Sequence, residues 1–424
     1  MIASRLCRLS HPATRTILCH RQPITISNRT TTRKMSSYID AAKTTLSENL
    51  GGLAQKVAPS HTTFTLSDVP DQTGKIAIIT GASEGIGYGV THTLLSKNIS
   101  KVFMLSLSED VANKAQEAVK EELGEDKAKR TVWIEADLGD WKSLKSVAER
   151  IGKETDRVDV LVGNAGRGIM TAQLTEDGVD RHMAVNHFVS LFVHLYAREG
   201  AGYEWKECLV ANAHICRDMF SSPLISVSRD SNTSEDAQHV ANGNVLLVPL
   251  LKSTAEKGDT VRISLQASNA HQNAPKDTDF ASLESINQDV GPVGQYGRAK
   301  LANILYAKYL ARHLSKDYPK ILSNATHPGV VSTAMSKRDI HEPYPLAGYG
   351  TSVAMEAFKK DQFEGALSTL YAATVVDSSG NYICPPAAIE DGSDLARNEE
   401  LSEQLMKLTR DVLKEKLGND VPFY

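Results

Sequence analysis

Short apolar runs alternate with stretches of helical spacing from residue 75 onward, and the alternation predicts the architecture. Lys75-Ile76-Ala77-Ile78-Ile79 is a continuous apolar run of the kind a buried parallel strand requires, and residues 88–97 then change to helical spacing. The exchange repeats along the chain. Residues 101–105 read as a strand and 109–123 as a helix with Val111, Ala115, Ala118 and Val119 on one side. Residues 131–134 make a third strand, 140–151 a helix and 158–162 a fourth strand. Further strands are expected at 261–266 and 321–325, and helices at 296–314 and 399–417. In the last helix Leu401, Leu405, Leu408 and Val412 form a seam too short for a coiled coil, so it is expected to pack onto the domain. Strands alternating with helices imply right-handed crossovers and a mostly parallel sheet with helices on both faces, a doubly wound α/β arrangement. By length the 424 residues allow two or three domains, but the series runs unbroken to about residue 382 and is read as one.

Chemistry enters at the first strand-to-helix turn, Thr80-Gly81-Ala82-Ser83-Glu84-Gly85-Ile86-Gly87. Glycines there let the backbone take unusual dihedrals and approach a pyrophosphate closely, while the first amides of the helix point at its charge. The spacing is Gly-x-x-x-Gly-x-Gly, not the commoner Gly-x-Gly-x-x-Gly. Downstream, Asn164-Ala165-Gly166 follows the fourth strand, and Tyr296-Gly297-Arg298-Ala299-Lys300 enters a helix. Tyr296 and Lys300 are four residues apart, so they lie one above the other on the same helical face. A phenol with a reference pKa near 10 is a poor acid-base group at neutral pH. A cation about 5 Å away, at an effective dielectric near 20, favours the phenolate by roughly 3 kcal/mol, or about two pKa units. The order of the three segments describes a dinucleotide site with a proton donor beside it.

With these segments on the page, the chain resembles the short-chain dehydrogenase/reductase family over about residues 74–416, and within it the retinol-dehydrogenase-like and related fungal members. The resemblance implies a single Rossmann-type domain. It makes Gly81, Ser83, Gly85, Ile86 and Gly87 cofactor-binding, and Asp137, after the third strand, the acid that contacts adenine. Asn164-Ala165-Gly166 corresponds to the family's Asn-Asn-Ala-Gly element with Gly163 in place of the first Asn. Ser268 matches the serine that polarises the substrate carbonyl, although Ala267 departs from the usual Ser-Ser pair. Asn186 matches the asparagine that orders a relay water to the lysine, and Lys300 also holds the nicotinamide ribose. Pro328, Gly329 and Thr333 match the segment beside the nicotinamide, with Thr333 the carboxamide contact. The expected cofactor is NADP or NAD. NADP is preferred because Ser106-Leu107-Ser108 ends the second strand where an Asp or Glu would repel a 2′-phosphate.

The implied reaction is hydride transfer between the nicotinamide and a carbonyl or alcohol, with Tyr296 as proton donor or acceptor and Ser268 holding the developing oxyanion. A small, lipophilic carbonyl or alcohol is the expected substrate and a homodimer the expected assembly. The alternative is a dinucleotide-binding sensor or scaffold without turnover. His182 and His187 are five apart and off one helical face, and no HExxH or paired-cysteine signature occurs, so no metal is expected. His271 and His327 are expected to border the pocket in packing or surface roles, and residues 337–341 to fall in the substrate lid.

Composition narrows the rest. Hydrophobic residues at 41% and charged residues at 23% suit a globular protein. A net charge of −4 with no basic stripe gives no field for wrapping nucleic acid, which is not expected as a partner. No apolar run approaches the ~18 residues that span a bilayer, the longest being broken by Pro249. Cys7, Cys19, Cys208, Cys216 and Cys384 lack zinc-type spacing and read as free thiols. Residues 1–34 carry six Arg and one Lys with no acid before Asp40, and Ile2, Leu6 and Leu9 share a helical face. This reads as a mitochondrial presequence, with a cytoplasmic protein initiated at Met35 as the alternative. Residues 35–72 form a lead-in, and 73–424 the domain. Between residues 195 and 248 the family pattern breaks and then resumes in frame. Residues 196–247 are read as a poorly ordered insertion, either a retained intron or a lineage-specific loop.

Overall fold

The computed structural model describes residues 63–188, 247–333, 339 and 360–417. The expected presequence, most of the lead-in, nearly all of the expected insertion and most of the 337–341 segment lie outside these residues. Strands β1 (Ile76–Thr80), β2 (Lys101–Ser106), β3 (Thr131–Glu135), β4 (Val160–Gly163), β5 (Val261–Gln266), β6 (Ile321–Thr326), β7 (Tyr382–Cys384) and β8 (Ala388–Glu390) form one sheet. Its order is β3-β2-β1-β4-β5-β6-β7-β8, parallel except for the β7–β8 pair. The chain starts in the middle, builds outward through β2 and β3, then returns to β4 on the other side of β1. A crevice therefore opens between the carboxyl ends of β1 and β4.

The helices are α1 (Gly85–Ser96), α2 (Glu109–Leu123), α3 (Glu125–Ala128), α4 (Trp141–Glu154), α5 (Leu247–Glu256), α6 (Leu283–Asn287), α7 (Gly291–Asp317), α8 (Gln362–Thr374) and α9 (Glu399–Leu417). Successive side chains of β1 face opposite sides. Ala77 and Ile79 join Val102, Met104, Val160 and Val162 under α1, α2 and α8. Ile78 joins Phe103, Leu161 and Ile263 under α4, α5, α7 and α9. Two apolar cores, one on each face, explain why the strands read as unbroken hydrophobic runs. The seam of α9 does pack onto the domain: Leu401, Leu405, Leu408 and Val412 are buried in the second of these cores. Among the described residues no helix is long and apolar enough to cross a membrane.

Local rules account for the element ends. Ser108 caps α2, its hydroxyl accepting from Val111 N at 3.4 Å, with Glu109 and Asp110 in the first turn and Lys120 in the last. Asp361 and Glu364 form a capping box on α8. Helix α7 starts at Gly291, five residues before the expected Tyr296, because Pro292 sits in the first turn where a missing N–H is harmless. Asn186 sits in a π-helical turn over Met183–Phe188. β5 ends at Gln266, so Ser268 lies two residues past the strand and caps the 3₁₀ turn Asn269–Asn273.

Candidate active site

The turn after β1 and the loop after β4 meet at the crevice. Gly81 (φ +63°) and Gly85 (φ +56°) occupy the left-handed region, where a side chain would be strained. A Cβ at Gly87 would lie 2.0 Å from the Gly81 carbonyl oxygen and 2.7 Å from Asn164 Nδ2, so only glycine fits. Thr80 Oγ1 accepts from the backbone amides of Asn164 and Ala165, both at 3.0 Å. Asn164 Nδ2 donates back to the Thr80 carbonyl at 3.1 Å. Glu84, at the N-cap of α1, makes no side-chain capping bond. The first turn of this twelve-residue helix, Gly85 and Ile86, lines the crevice beside Glu84 with no side chain capping its amides, which leaves them open to an anion.

The crevice opens into a cleft of about 190 Å³ lined by Gly81, Gly85, Ile86, Asn164, Ala165, Gly166, Tyr296, Lys300, Pro328 and Thr333, among others. Most of the expected cofactor residues thus meet around one space. Gly87 is buried behind it, and Gly329 (φ +81°) turns the chain from Pro328 toward Thr333. The methyl of Thr333 packs on Gly85, where an added Cβ would come within 3.0 Å. Ser83 points elsewhere, its hydroxyl 2.7 Å from that of Ser106, which also accepts from Trp133 Nε1 at 3.0 Å. Asp137 is exposed past the end of β3, where it accepts from Gly139 N at 2.8 Å, and it does not line the cleft.

Of the four side chains expected to carry the chemistry, Tyr296 and Lys300 line the cleft, while Ser268 and Asn186 stand beside them outside its lining. Ser268 Oγ accepts from Ala270 N at 3.1 Å, and the serine side chain stands near enough to Tyr296 to favour its phenolate. Lys300 Nζ sits 5.6 Å from the Tyr296 ring centre and donates to the Gln266 carbonyl at 3.0 Å, beside Asn303 Nδ2 at 2.9 Å on the same oxygen. Asn186 is buried and pairs with the backbone of Arg167, Oδ1 accepting at 2.6 Å and Nδ2 donating at 3.1 Å. Gly166 separates Asn186 from Lys300: a Cβ there would lie 2.9 Å from Asn186 Oδ1 and 3.5 Å from Lys300 Nζ.

One electrostatic expectation is reversed. The Lys300 cation was expected to pull the Tyr296 phenol down, yet burial pushes it up to about 12, opposed by Ser268 and reinforced by the Asp339 carboxylate. Burial likewise brings Lys300 down to about 8. Desolvation of both charged forms outweighs their attraction, and the ammonium is turned to Gln266.

The sequence did not single out three groups in this region. Gln266 acts through a main-chain carbonyl, which every residue possesses. Arg167 lines the cleft, and its Nε is 3.9 Å from Asp339. Asp339 is itself buried and accepts from Gly168 N at 2.7 Å. His182 is buried 3.7 Å from Asp180 and edge-on to Tyr296, while His187 faces Asn303 Oδ1 at 3.3 Å. A wider groove of about 380 Å³ between α7 and α9 contains none of the expected site residues. Its Arg312 and Arg397 are paired with Glu403 and Asp394.

Comparison with known proteins agrees with this geometry. The family model for short chain dehydrogenase matches residues 75–197. A Neurospora crassa protein, provisionally named oxidoreductase bli-4, mitochondrial, is 45% identical over 401 residues, covering 93% of this chain and 85% of the relative. The chain belongs to the short-chain dehydrogenase/reductase family. The family's dehydrogenase/reductase class of enzyme comes with that membership. A short chain dehydrogenase/reductase of Colletotrichum higginsianum, dpchH, is 27% identical over 82% of this chain and 77% of its own. An uncharacterized Mycobacterium paratuberculosis protein of known structure shares the fold, with a TM-score of 0.54 at 20% identity over 83% of this chain and 98% of that one.

The glycine cradle yields a direct test. Gly87→Ala crowds the Gly81 carbonyl within the β1–α1 turn and Asn164 in the loop after β4, so dinucleotide affinity is expected to fall by on the order of tenfold or more, about 1.4 kcal/mol. Titration of cofactor fluorescence measures it, and parental affinity in the Ala variant would contradict the fit.

Proposed function

We propose that this protein binds NADP(H) in the β1–β4 crevice and interconverts a carbonyl and an alcohol, with Tyr296 as the proton donor or acceptor. The observation that carries the reading is Tyr296 one helical turn from Lys300 in a cleft lined by the glycine turn, with Ser268 beside it. The bound nicotinamide supplies or takes up the hydride. Gly81, Gly85, Gly87 and the first turn of α1 would hold the pyrophosphate, Asn164 to Gly166 and Lys300 the nicotinamide ribose, and Pro328 to Thr333 the nicotinamide edge. Ser268 would hydrogen-bond the reacting oxygen and orient it toward the Tyr296 hydroxyl, and Asn186 would help order the path from Lys300 to solvent.

The preference for NADP is supported by the absence of an acid at the end of β2, where Ser83 and Ser106 offer hydroxyls and Leu107 is exposed. A small, lipophilic carbonyl or alcohol substrate remains our reading of the family resemblance, and so does a homodimer. For location we propose the mitochondrion, supported by the acid-free, arginine-rich residues 1–34 and by the name of the Neurospora relative.

Tyr296→Phe is expected to abolish turnover of a ketone, aldehyde and alcohol panel while keeping cofactor affinity, and Lys300→Met to weaken both, as followed at the nicotinamide absorbance band. A parental rate in the Phe variant would remove Tyr296 from the mechanism. Cofactor binding with no turnover in the parent would favour the sensor reading, and tighter binding of NAD than NADP would reverse the cofactor preference. Because Tyr296 is held up at about 12, it is a phenol at neutral pH, ready to donate. Carbonyl reduction should therefore stay level between about pH 6 and 8, whereas alcohol oxidation, which needs the phenolate, should rise with pH. A reduction rate that climbs with pH would contradict this assignment. A fluorescent protein fused behind residues 1–34 should enter mitochondria, and a cytosolic signal would refute that location.

A further inference from the structure

Behind Ser268 stands a buried histidine with both ring nitrogens engaged. His271 Nδ1 lies 2.7 Å from the Ser268 carbonyl oxygen, which also accepts the backbone N–H of His271 at 3.0 Å. A carbonyl only accepts, so Nδ1 carries the proton. On the far side, Nε2 lies 3.1 Å from Ser393 N, and a backbone N–H only donates, so Nε2 is the acceptor. The ring is therefore neutral in one tautomer. Burial holds His271 below its ordinary pKa, with Glu390 opposing and Lys308 adding to that effect.

The surroundings clamp this ring. Tyr382 of β7 packs edge-on against it at 5.1 Å and 76°, and its hydroxyl donates to Asn269 Oδ1 at 2.7 Å. Asn269 N in turn donates to Nδ1 of the buried His327 at 3.2 Å. A Cβ at Gly392 would sit 3.4 Å from His271 Nε2, so the chain after β8 closes directly over the ring.

We propose that His271 is a positioning residue for Ser268: it fixes the peptide that follows the serine, and with it the direction in which the serine hydroxyl meets Tyr296. The inference rests on the catalytic reading of Ser268 and Tyr296 given above. The ring also makes the Gly392–Ser393 backbone an outer support of the catalytic turn, although that backbone touches neither hydroxyl.

Two substitutions separate the two nitrogens. His271→Asn puts an amide nitrogen where Nδ1 stands, keeping the donor to Ser268 and losing the contact with Ser393. His271→Gln reaches the Nε2 position, keeping an acceptor for Ser393 and losing the donor to Ser268. The Asn variant is expected to keep most of the parental kcat. The Gln variant is expected to lose on the order of 10- to 100-fold in kcat, with dinucleotide Kd unchanged, as a small misplacement of a reacting group would produce. A purely structural role would lower both variants alike, in step with melting temperature. Equal kcat values for the two, or a Gln variant that no longer binds dinucleotide, would overturn the proposal. A parent enzyme without turnover would remove the catalytic reading and this inference together, whereas an active parent with matched variants would remove this inference alone.

Discussion

The whole site depends on two backbone segments passing within contact distance of each other. The turn after β1 and the loop after β4 approach so closely that a methyl at residue 81 would stand 3.1 Å from the Ala165 Cα and one at residue 87 would stand 2.7 Å from Asn164 Nδ2. The Thr80 hydroxyl bridges the two by taking both the Asn164 and Ala165 amides, so the polar backbone buried by the approach is paired. Glycine removes the steric bar and threonine satisfies the hydrogen bonds. Neither would be of use without a sheet order that puts β4 next to β1 and sends β2 the other way. The crevice is a consequence of topology, and the glycine turn makes it narrow enough to grip an anion.

Inside that crevice burial dominates charge. An aqueous picture of Tyr296 beside Lys300 favours the phenolate, but both groups have left water and each is pushed toward its neutral form. The Gln266 carbonyl compensates for part of the loss of water by holding the ammonium, with Asn303 sharing the same oxygen. Tyr296 is thereby kept as a phenol, the form that the proposed proton donor requires. Its neighbour Ser268 is the group expected to hold the oxygen that receives the proton.

The parts of this arrangement that were legible in the sequence share one property: they are encoded in contiguous residues. Strands β1 to β6 were readable because two-sided burial demands unbroken apolar runs, and β5 matches the expected residues from Val261 to Gln266. The three-residue strands β7 and β8 are too short to carry a period, and α8 is buried around most of its circumference, which erases its amphipathic signal. At the site, the glycines, Asn164, Tyr296 and Lys300 stood out by spacing and order, and Ser268 through the family resemblance. Gln266, Arg167 and Asp339 did not, since their places are set by a backbone atom or by tertiary contact. The sign of the Tyr296 shift was misjudged for the same reason, because desolvation depends on what packs around a group and not on what lies four residues away.

The distal third of the chain shows how far that tertiary dependence extends. His271 is tied to Ser393, 122 positions further along, and Asn269 to Tyr382, 113 positions away. Ser402 of α9 donates to the Leu305 carbonyl in α7, the helix that carries Tyr296 and Lys300. α9 is therefore bonded to the helix bearing the tyrosine, and the β7–β8 hairpin with its following loop is bonded to the turn bearing the serine. The two hydroxyls that must meet are mounted on different elements, so their separation is fixed only when both mounts are held to a common frame. Strands β5 and β6 supply the inner part of that frame, and the segment from β7 to α9 closes it from outside. The relative placement of Ser268 and Tyr296 is therefore set in part by the last fifty residues of the described chain, and not only by the segments that carry the two side chains.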